Sequence, residues 1–366
     1  MKHAIVSRCT DGAFRYQAWP TVTKGEDGTL YVGCSGHRRT HICPFGTNLM
    51  YVSRDEGETW SAPQIINDTY VDNRDAGMLA WGDGKLLLTW VNHTPEWFYK
   101  IAATDLSSKP HYDLTSPLAA GMIELWKTVP REKLYAGSYT RLSLDNGKTW
   151  SGQRLAPVTS PHGPCLAPDG NLLFLGSYRL KGMEWAGEAG KIRLYRSADE
   201  GLTWELISIP PLPEGAEEAR CFEPHLTVLQ DGTLLGAVRY HFDKGHGNRK
   251  MYVLRATDGG KSWETPYFLD VIGCPPHFLQ HSSGAVVMTF SKRVDVMGEY
   301  AIVSHDSGRT WSKETLISPV APDWDHGYPS TVELANGDLF TVYYMKCPGD
   351  DYNSLHSVRW SLSELE

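Results

Sequence analysis

The residues of this sequence best suited to chemistry are a tyrosine, a glutamate, an aspartate, a histidine and a set of arginines. Tyr328 and Glu223 each stand directly before a proline at the head of an apolar run. A phenol beside a carboxylate can act as a nucleophile, because the carboxylate takes its proton, or as a general base. Asp75, in Asp72-Asn73-Arg74-Asp75, is the first candidate to protonate a leaving oxygen, and His41 is the second. The neighbouring Arg74 is expected to hold the Asp75 pKa down, which suits a base or an ion-pair strut better than an acid. Arg38, Arg39, Arg74, Arg239 and Arg293 are the expected substrate grips, since a guanidinium is always charged and matches a planar carboxylate with two parallel hydrogen bonds. His162, His225 and His277 recur at equivalent places and admit three readings. They are a repeated structural device, substrate-binding groups, or, with His41 and His326, a metal set or the base of a lyase. No short-range ligand spacing accompanies them, and neither a metal nor a cofactor is expected. Trp19 is a candidate stacking platform, although most of the 13 tryptophans must serve packing. No phosphate-binding glycine loop, serine nucleophile elbow or His-Glu-x-x-His is present.

These residues are far apart in the chain, so their chemistry needs a fold that gathers them. Six turns of the form Asp-Gly, Asn-Gly or Ser-Gly separate paired β-rich runs, at Gly28, Gly84, Gly170, Gly232, Gly284 and Gly337. Such dipeptides between apolar runs are strong hairpin signals. An octet, Ser-x-Asp-x-Gly-x-Thr-Trp, follows the hairpins five times, ending at Trp60, Trp150, Trp204, Trp263 and Trp311, with Ala256 and Ser262 as its only departures at the fixed positions. Recurrence on this scale marks a repeat architecture, and the octet is read as its structural staple. Six hairpins with further strands predict an all-β, six-bladed β-propeller spanning 1–366 as one domain. The octet closes the third strand onto the fourth in blades one to five. Blade six lacks it; Ser354–Trp360 supplies its third strand and the run from His3 to Ser7 its fourth. In such a ring the innermost strands begin on one face, so the candidate residues converge there. Residues 93–137 form an insertion in blade two, with a helix expected around Leu118–Lys127 and a role as a lid or as a contact in a homo-oligomer.

Composition bounds the rest. Hydrophobic content of 41% supports a large core, and a net charge of −8 argues against nucleic-acid binding. No apolar run approaches the ~20 residues that span a membrane. The first residues lack the apolar core of a signal peptide. The seven cysteines are scattered, so a reducing compartment is expected, with secretion after leader removal the alternative.

The octets and the six-blade pattern resemble the sialidase (neuraminidase) superfamily over essentially the whole chain. The resemblance implies an arginine trio that grips a sugar carboxylate, a tyrosine nucleophile activated by a glutamate, and an aspartate acid/base. Tyr328 falls at the nucleophile's place, Glu223 at its partner's, Arg239 at the second arginine's, and Arg293 near the third's. Two positions depart. The family's Arg-Ile-Pro is Ala18-Trp19-Pro20 here, with Arg15 three residues before Ala18. Between Ser35 and Arg54, where the acid/base aspartate belongs, there is no carboxylate, only His37, Arg38, Arg39 and His41 as titratable or charged groups beside Cys43, Tyr51 and Arg54 itself. The implied function is an exo-acting glycoside hydrolase releasing a terminal acidic sugar from a glycan. The rival expectations are a polysaccharide lyase or other uronate-processing enzyme with a His/Tyr pair, and a carbohydrate-binding propeller without catalysis.

Overall fold

The five octets fold alike, and their hydrogen bonds explain their composition. In the first, Ser53 Oγ donates to Asp55 Oδ1 at 2.7 Å and accepts the Gly57 N–H at 2.8 Å, while Asp55 Oδ1 accepts the Thr59 N–H at 2.9 Å. Gly57 has φ +88, and a Cβ there would meet the Phe340 ring of the preceding blade at 2.5 Å. Glycine is thus required twice over, by conformation and by the close approach of two blades. The tryptophans wedge into the same seams. Trp60 packs on the layer between blades six and one, Trp150 between one and two, Trp263 between three and four, and Trp311 between four and five.

The computed structural model describes residues 1–134, 136–178, 191–242 and 248–365, and Tyr135 of the insertion lies outside them. Six antiparallel sheets form the ring. Blade one is Tyr16–Lys24, Leu30–Arg38, Thr47–Ser53 and Gln64–Asn67. Blade two is Asn73–Trp81, Lys85–Asn92, Gly137–Ser143 and Arg154–Leu155. Blade four is Cys221–Val228, Leu234–His241, Arg249–Ala256 and Tyr267–Ile272. Blade five is His277–Gln280, Val286–Lys292, Gly298–Ser304 and Thr315–Leu316. Blade six is Gly327–Glu333, Leu339–Lys346 and Asn353–Trp360, closed by Lys2–Ser7 paired to its third strand. In blade three the inner strand is broken into Val158–Thr159 and Cys165–Leu166, both paired with Leu172–Tyr178. Pro161 and Pro164 flank the break, and a proline withdraws a ladder donor. Ile192–Ser197 and Glu205–Ser208 complete that sheet.

The core is a ring of layers between blades. Alternation along each strand sends neighbouring side chains to opposite sheet faces. Leu234 packs toward blade three and Leu235 toward blade five. Both faces are covered, which is why these strands read as nearly continuous apolar runs.

The insertion builds a small core of its own around Phe98, Leu114, Ile123 and Trp126, with Ile42 and Val71 of the ring. The expected helix is present as α2, Pro117–Trp126. A helix not anticipated from the sequence precedes it: α1, Pro95–Ala102, whose cap Thr94 accepts the Trp97 N–H and whose first position is proline. The chain between the two helices reaches back over the ring, where Ile42 and Tyr112 form a parallel bridge.

Candidate functional site

Four blades begin with the same backbone irregularity. Trp19, Asp75, Glu223 and Tyr328 have φ of +53, +55, +42 and +55. At each the strand ladder slips, between Ala18 and Thr21, Arg74 and Gly77, Phe222 and His225, and Gly327 and Ser330. A non-glycine residue in this region costs about 1–3 kcal/mol and is kept where it aims a side chain. All four line one cavity of about 280 Å³ over the axis, with His41, Arg74, His93, His111, Tyr112, Arg239, Arg249, Arg293 and Trp324.

Tyr328 Oη donates to Glu223 Oε1 at 2.7 Å, and Glu223 is also ion-paired with Arg239. Burial pushes the Glu223 pKa up, but Arg239 and the phenol outweigh it and hold the carboxyl at about 2. Burial and the Glu223 charge push the Tyr328 phenol well above 10. Arg293 donates to the His326 carbonyl at 2.7 Å and lies 5.9 Å from the Tyr328 ring centre. Arg249, which no motif in the sequence singles out, opens the third strand of blade four and shares this wall. Its buried Nε has no hydrogen-bond partner among the described residues, and burial with the like charges of Arg239 and Arg293 lowers its pKa. The signal that could have found it is architectural: third strands of a blade start on the same face as first strands.

Asp75 corrects an expectation. Its pKa is raised to about 6, because burial outweighs Arg74, and Glu223 and Asp72 add to the rise. Arg74 is directed elsewhere: its guanidinium lies 4.0 Å over the Trp19 ring and donates to the His41 carbonyl at 3.0 Å. On the adjoining wall His41 Nδ1 lies 2.8 Å from Asp325 Oδ1.

Other expected grips stand away from the pocket. Arg38 is fully buried and forks onto Asp72, whose second oxygen it reaches at 3.0 Å, so it braces blade one to blade two. Arg39 is ion-paired with Asp113 of the insertion and tethers that segment. Arg15 pairs with Asp351 and lies over Tyr352, which leaves the lost blade-one arginine unreplaced from that side. His162, His225 and His277 are buried below the cavity, with His225 and His277 rings 4.4 Å apart. Their Nδ1 atoms are committed between blades: His225 accepts the Phe278 N–H at 3.0 Å, His277 the Thr331 N–H at 3.3 Å, and His162 meets Thr21 Oγ1 at 3.0 Å. Burial holds all three neutral, His225 at about 3. They form a belt that locks the inner strands together. His326 is likewise buried, against Glu299 at 2.7 Å. Among the described residues no group of three or more His, Cys, Asp or Glu side chains is arranged to hold a metal ion. A larger cleft of about 670 Å³ beside α2 is lined by Phe14, Phe45, Tyr70 and Leu125 and has no lysine or arginine in its described lining.

The BNR repeat-like domain model matches residues 118–341, and the BNR/Asp-box repeat model matches 51–62, across the first octet. No curated protein matches the chain in sequence. Among solved structures, a protein of unknown function from Dyadobacter fermentans DSM 18053 superposes with a TM-score of 0.74 at 18% identity, covering 98% of this chain and 97% of that one. The NanB sialidase of Streptococcus pneumoniae gives 0.68 at 12% identity, over 99% of this chain and 71% of that one. A leech intramolecular trans-sialidase gives 0.65 at 12%, over 100% and 71%. At such identities the likeness is one of fold. With a domain model matched over more than half its length, this chain belongs to the BNR repeat-like domain family.

Proposed function

We propose that this protein is an exo-acting glycoside hydrolase that releases a terminal acidic sugar, with Tyr328 as nucleophile, Glu223 as its base and Asp75 as the acid. The observation that carries the reading is the 2.7 Å hydrogen bond from Tyr328 to Glu223 inside a cavity walled by four arginines. Arg239, Arg249 and Arg293 crowd like charges around one carboxylate, so the wall has cationic capacity to spare for an anionic ligand. The cavity is on the scale of one sugar residue, and His111 and Tyr112 of the insertion form part of its wall. An exo mode of attack suits a pocket of that size.

The resting ion pair of Glu223 with Arg239 keeps the glutamate a weak base. A substrate carboxylate that engages Arg239 weakens that pair and raises the Glu223 pKa. Glu223 then takes the phenolic proton as Tyr328 Oη attacks the anomeric carbon. The bond to the leaving oxygen breaks with its electron pair on oxygen, which receives the Asp75 proton. A carboxyl with a pKa near 6 is suited to that donation.

The test is a panel of aryl glycosides of acidic and neutral sugars against wild type, Tyr328→Phe and Glu223→Gln. Acidic sugars are expected to be cleaved, with Glu223→Gln slowed ~10²–10⁴-fold and Tyr328→Phe at least as impaired. Undiminished activity in both variants would sink the assignment.

A further inference from the structure

A second proton carrier faces the same cavity, in surroundings that hold one of its nitrogens and leave the other open. The His41 ring is part of the wall. Its Nδ1 is 2.8 Å from Asp325 Oδ1 and 3.1 Å from Tyr16 Oη. Tyr16 Oη lies 3.1 and 3.0 Å from the two Asp325 oxygens, and Tyr344 Oη donates to Asp325 Oδ1 at 3.3 Å. Burial pushes the Asp325 pKa up, but His41, Arg293 and Tyr16 outweigh it and hold the group at about 2. An ionised carboxylate only accepts, so it fixes the imidazole proton on Nδ1 and leaves the Nε2 lone pair free. His41 Nε2 has no protein hydrogen bond among the described residues.

The ring is also fixed in position. Trp19 and Trp324 lie 5.1 and 5.4 Å from it between centroids, His111 lies at 6.1 Å, and Arg74 donates to the His41 carbonyl. The charged and titratable groups that face it are Asp325, Tyr16, Arg74, Arg293 and His111. Burial lowers the His41 pKa below 6.5, with Arg74 and Arg293 acting in the same direction against Asp325. Near neutral pH the ring is therefore the uncharged, proton-accepting form.

We propose that His41, oriented by Asp325 and Tyr16, is the general base of the second, hydrolytic half-reaction, so that separate groups give and take protons at this site. This rests on the glycosidase reading above. The first half-reaction leaves the sugar on Tyr328, the phenolic proton on Glu223 and Asp75 as carboxylate. Water then attacks the anomeric carbon while His41 Nε2 takes one of its protons. The carbon–oxygen bond to Tyr328 breaks with its electron pair on Oη, which recovers the proton from Glu223. The imidazolium releases its proton to solvent, and Asp75 regains one from solvent. The net change is addition of one water across the glycosidic bond. His41 touches the reacting water and is catalytic; Asp325 and Tyr16 are positioning residues.

The test is rapid-mixing kinetics of His41→Gln with two aryl glycosides of an acidic sugar that wild type cleaves, one with a good and one with a poor leaving group. The variant is expected to release about one equivalent of phenol in a first turnover, then settle to a steady state at least ~100-fold below wild type and alike for both substrates. Azide, which attacks without losing a proton, is expected to restore turnover and yield the glycosyl azide. Mass spectrometry of the quenched variant should find the sugar on the peptide containing Tyr328. Asp325→Asn removes a charge that raises the His41 pKa, so its kcat should fall and the acid limb of its pH profile should move to lower pH, a shift that a merely structural role would not produce. A His41→Gln variant without burst or azide rescue, or one whose loss grows as the leaving group worsens, overturns this proposal and leaves the glycosidase reading standing. A wild type inert toward every acidic glycoside overturns both.

Discussion

At the scale of the residue, neighbours in sequence proved poor guides to neighbours in space. Arg74 adjoins Asp75 in the chain, yet its guanidinium faces Trp19 and the His41 carbonyl, and burial governs the carboxyl. The sign of the consequence is clear. Asp75 stays protonated up to about pH 6, and a proton donor fails as it ionises. The single-turnover rate should therefore fall as pH rises through about 6. Asp75→Asn should lower that rate ~10²–10⁴-fold and abolish this limb; single-turnover measurements across the acid and neutral range check both. Arg38 makes the converse point. It sits between other basic residues in the sequence, as a ligand grip would, but its fork is filled by Asp72 in a fully buried pair. Such a pair bridges blades, and its burial keeps Arg38 out of the cavity wall.

At the scale of the element, two devices recur for different ends. The octet is a turn that satisfies its own polar groups. Thr59 and Thr149, through hydroxyl and backbone N–H, depress the pKa values of Asp55 and Asp145 to about 2, and Asp199, Asp258 and Asp306 are lowered as well. An unfolded aspartate titrates near ~3.9. The stabilisation from Asp55 and Asp145 is fully present above that pH and is lost as pH falls through about 2, and the other three act in the same direction. Melting temperature followed by circular dichroism should fall as pH drops below about 6.5, where unfolded His162, His225 and His277 gain protons that the buried belt excludes, and should fall further toward pH 2 as the octet aspartates are protonated. Asp145→Asn should flatten part of that drop. The second device, the positive-φ bulge at the head of the inner strands, carries Trp19, Asp75, Glu223 and Tyr328 into the cavity.

At the scale of the whole molecule, the ring is closed by the pairing of Lys2–Ser7 with Asn353–Trp360. The pairing runs from Lys2 opposite Arg359 to Ser7 opposite Leu355, and Val6 joins the apolar layer between blades six and one. That layer also contains Trp19 and Tyr328, so closure and the cavity share a wall. A protein lacking residues 1–7 should expose the third strand of blade six as an open edge. Its melting temperature should fall, and light scattering should detect self-association. A monomer with wild-type stability would show that the seam is held by side-chain packing alone.

Much of this protein was legible in one dimension. Asp-Gly, Asn-Gly and Ser-Gly turns, the octets and the alternating runs are local features, and local backbone preference was enough to set six hairpins and their order. The same logic reached Tyr328, Glu223, Asp75 and Trp19, because each lies a fixed step before its hairpin. It reached His41 and Arg293 more loosely, and it missed Arg249. Tertiary structure alone decided which charges pair. Whether a guanidinium faces Asp72, Asp113 or an open cavity depends on residues dozens to hundreds of positions away, as Tyr16, His41 and Asp325 illustrate. The backbone writes its preferences within a few residues, whereas burial and Coulomb interaction act through space and are set only once the ring has closed.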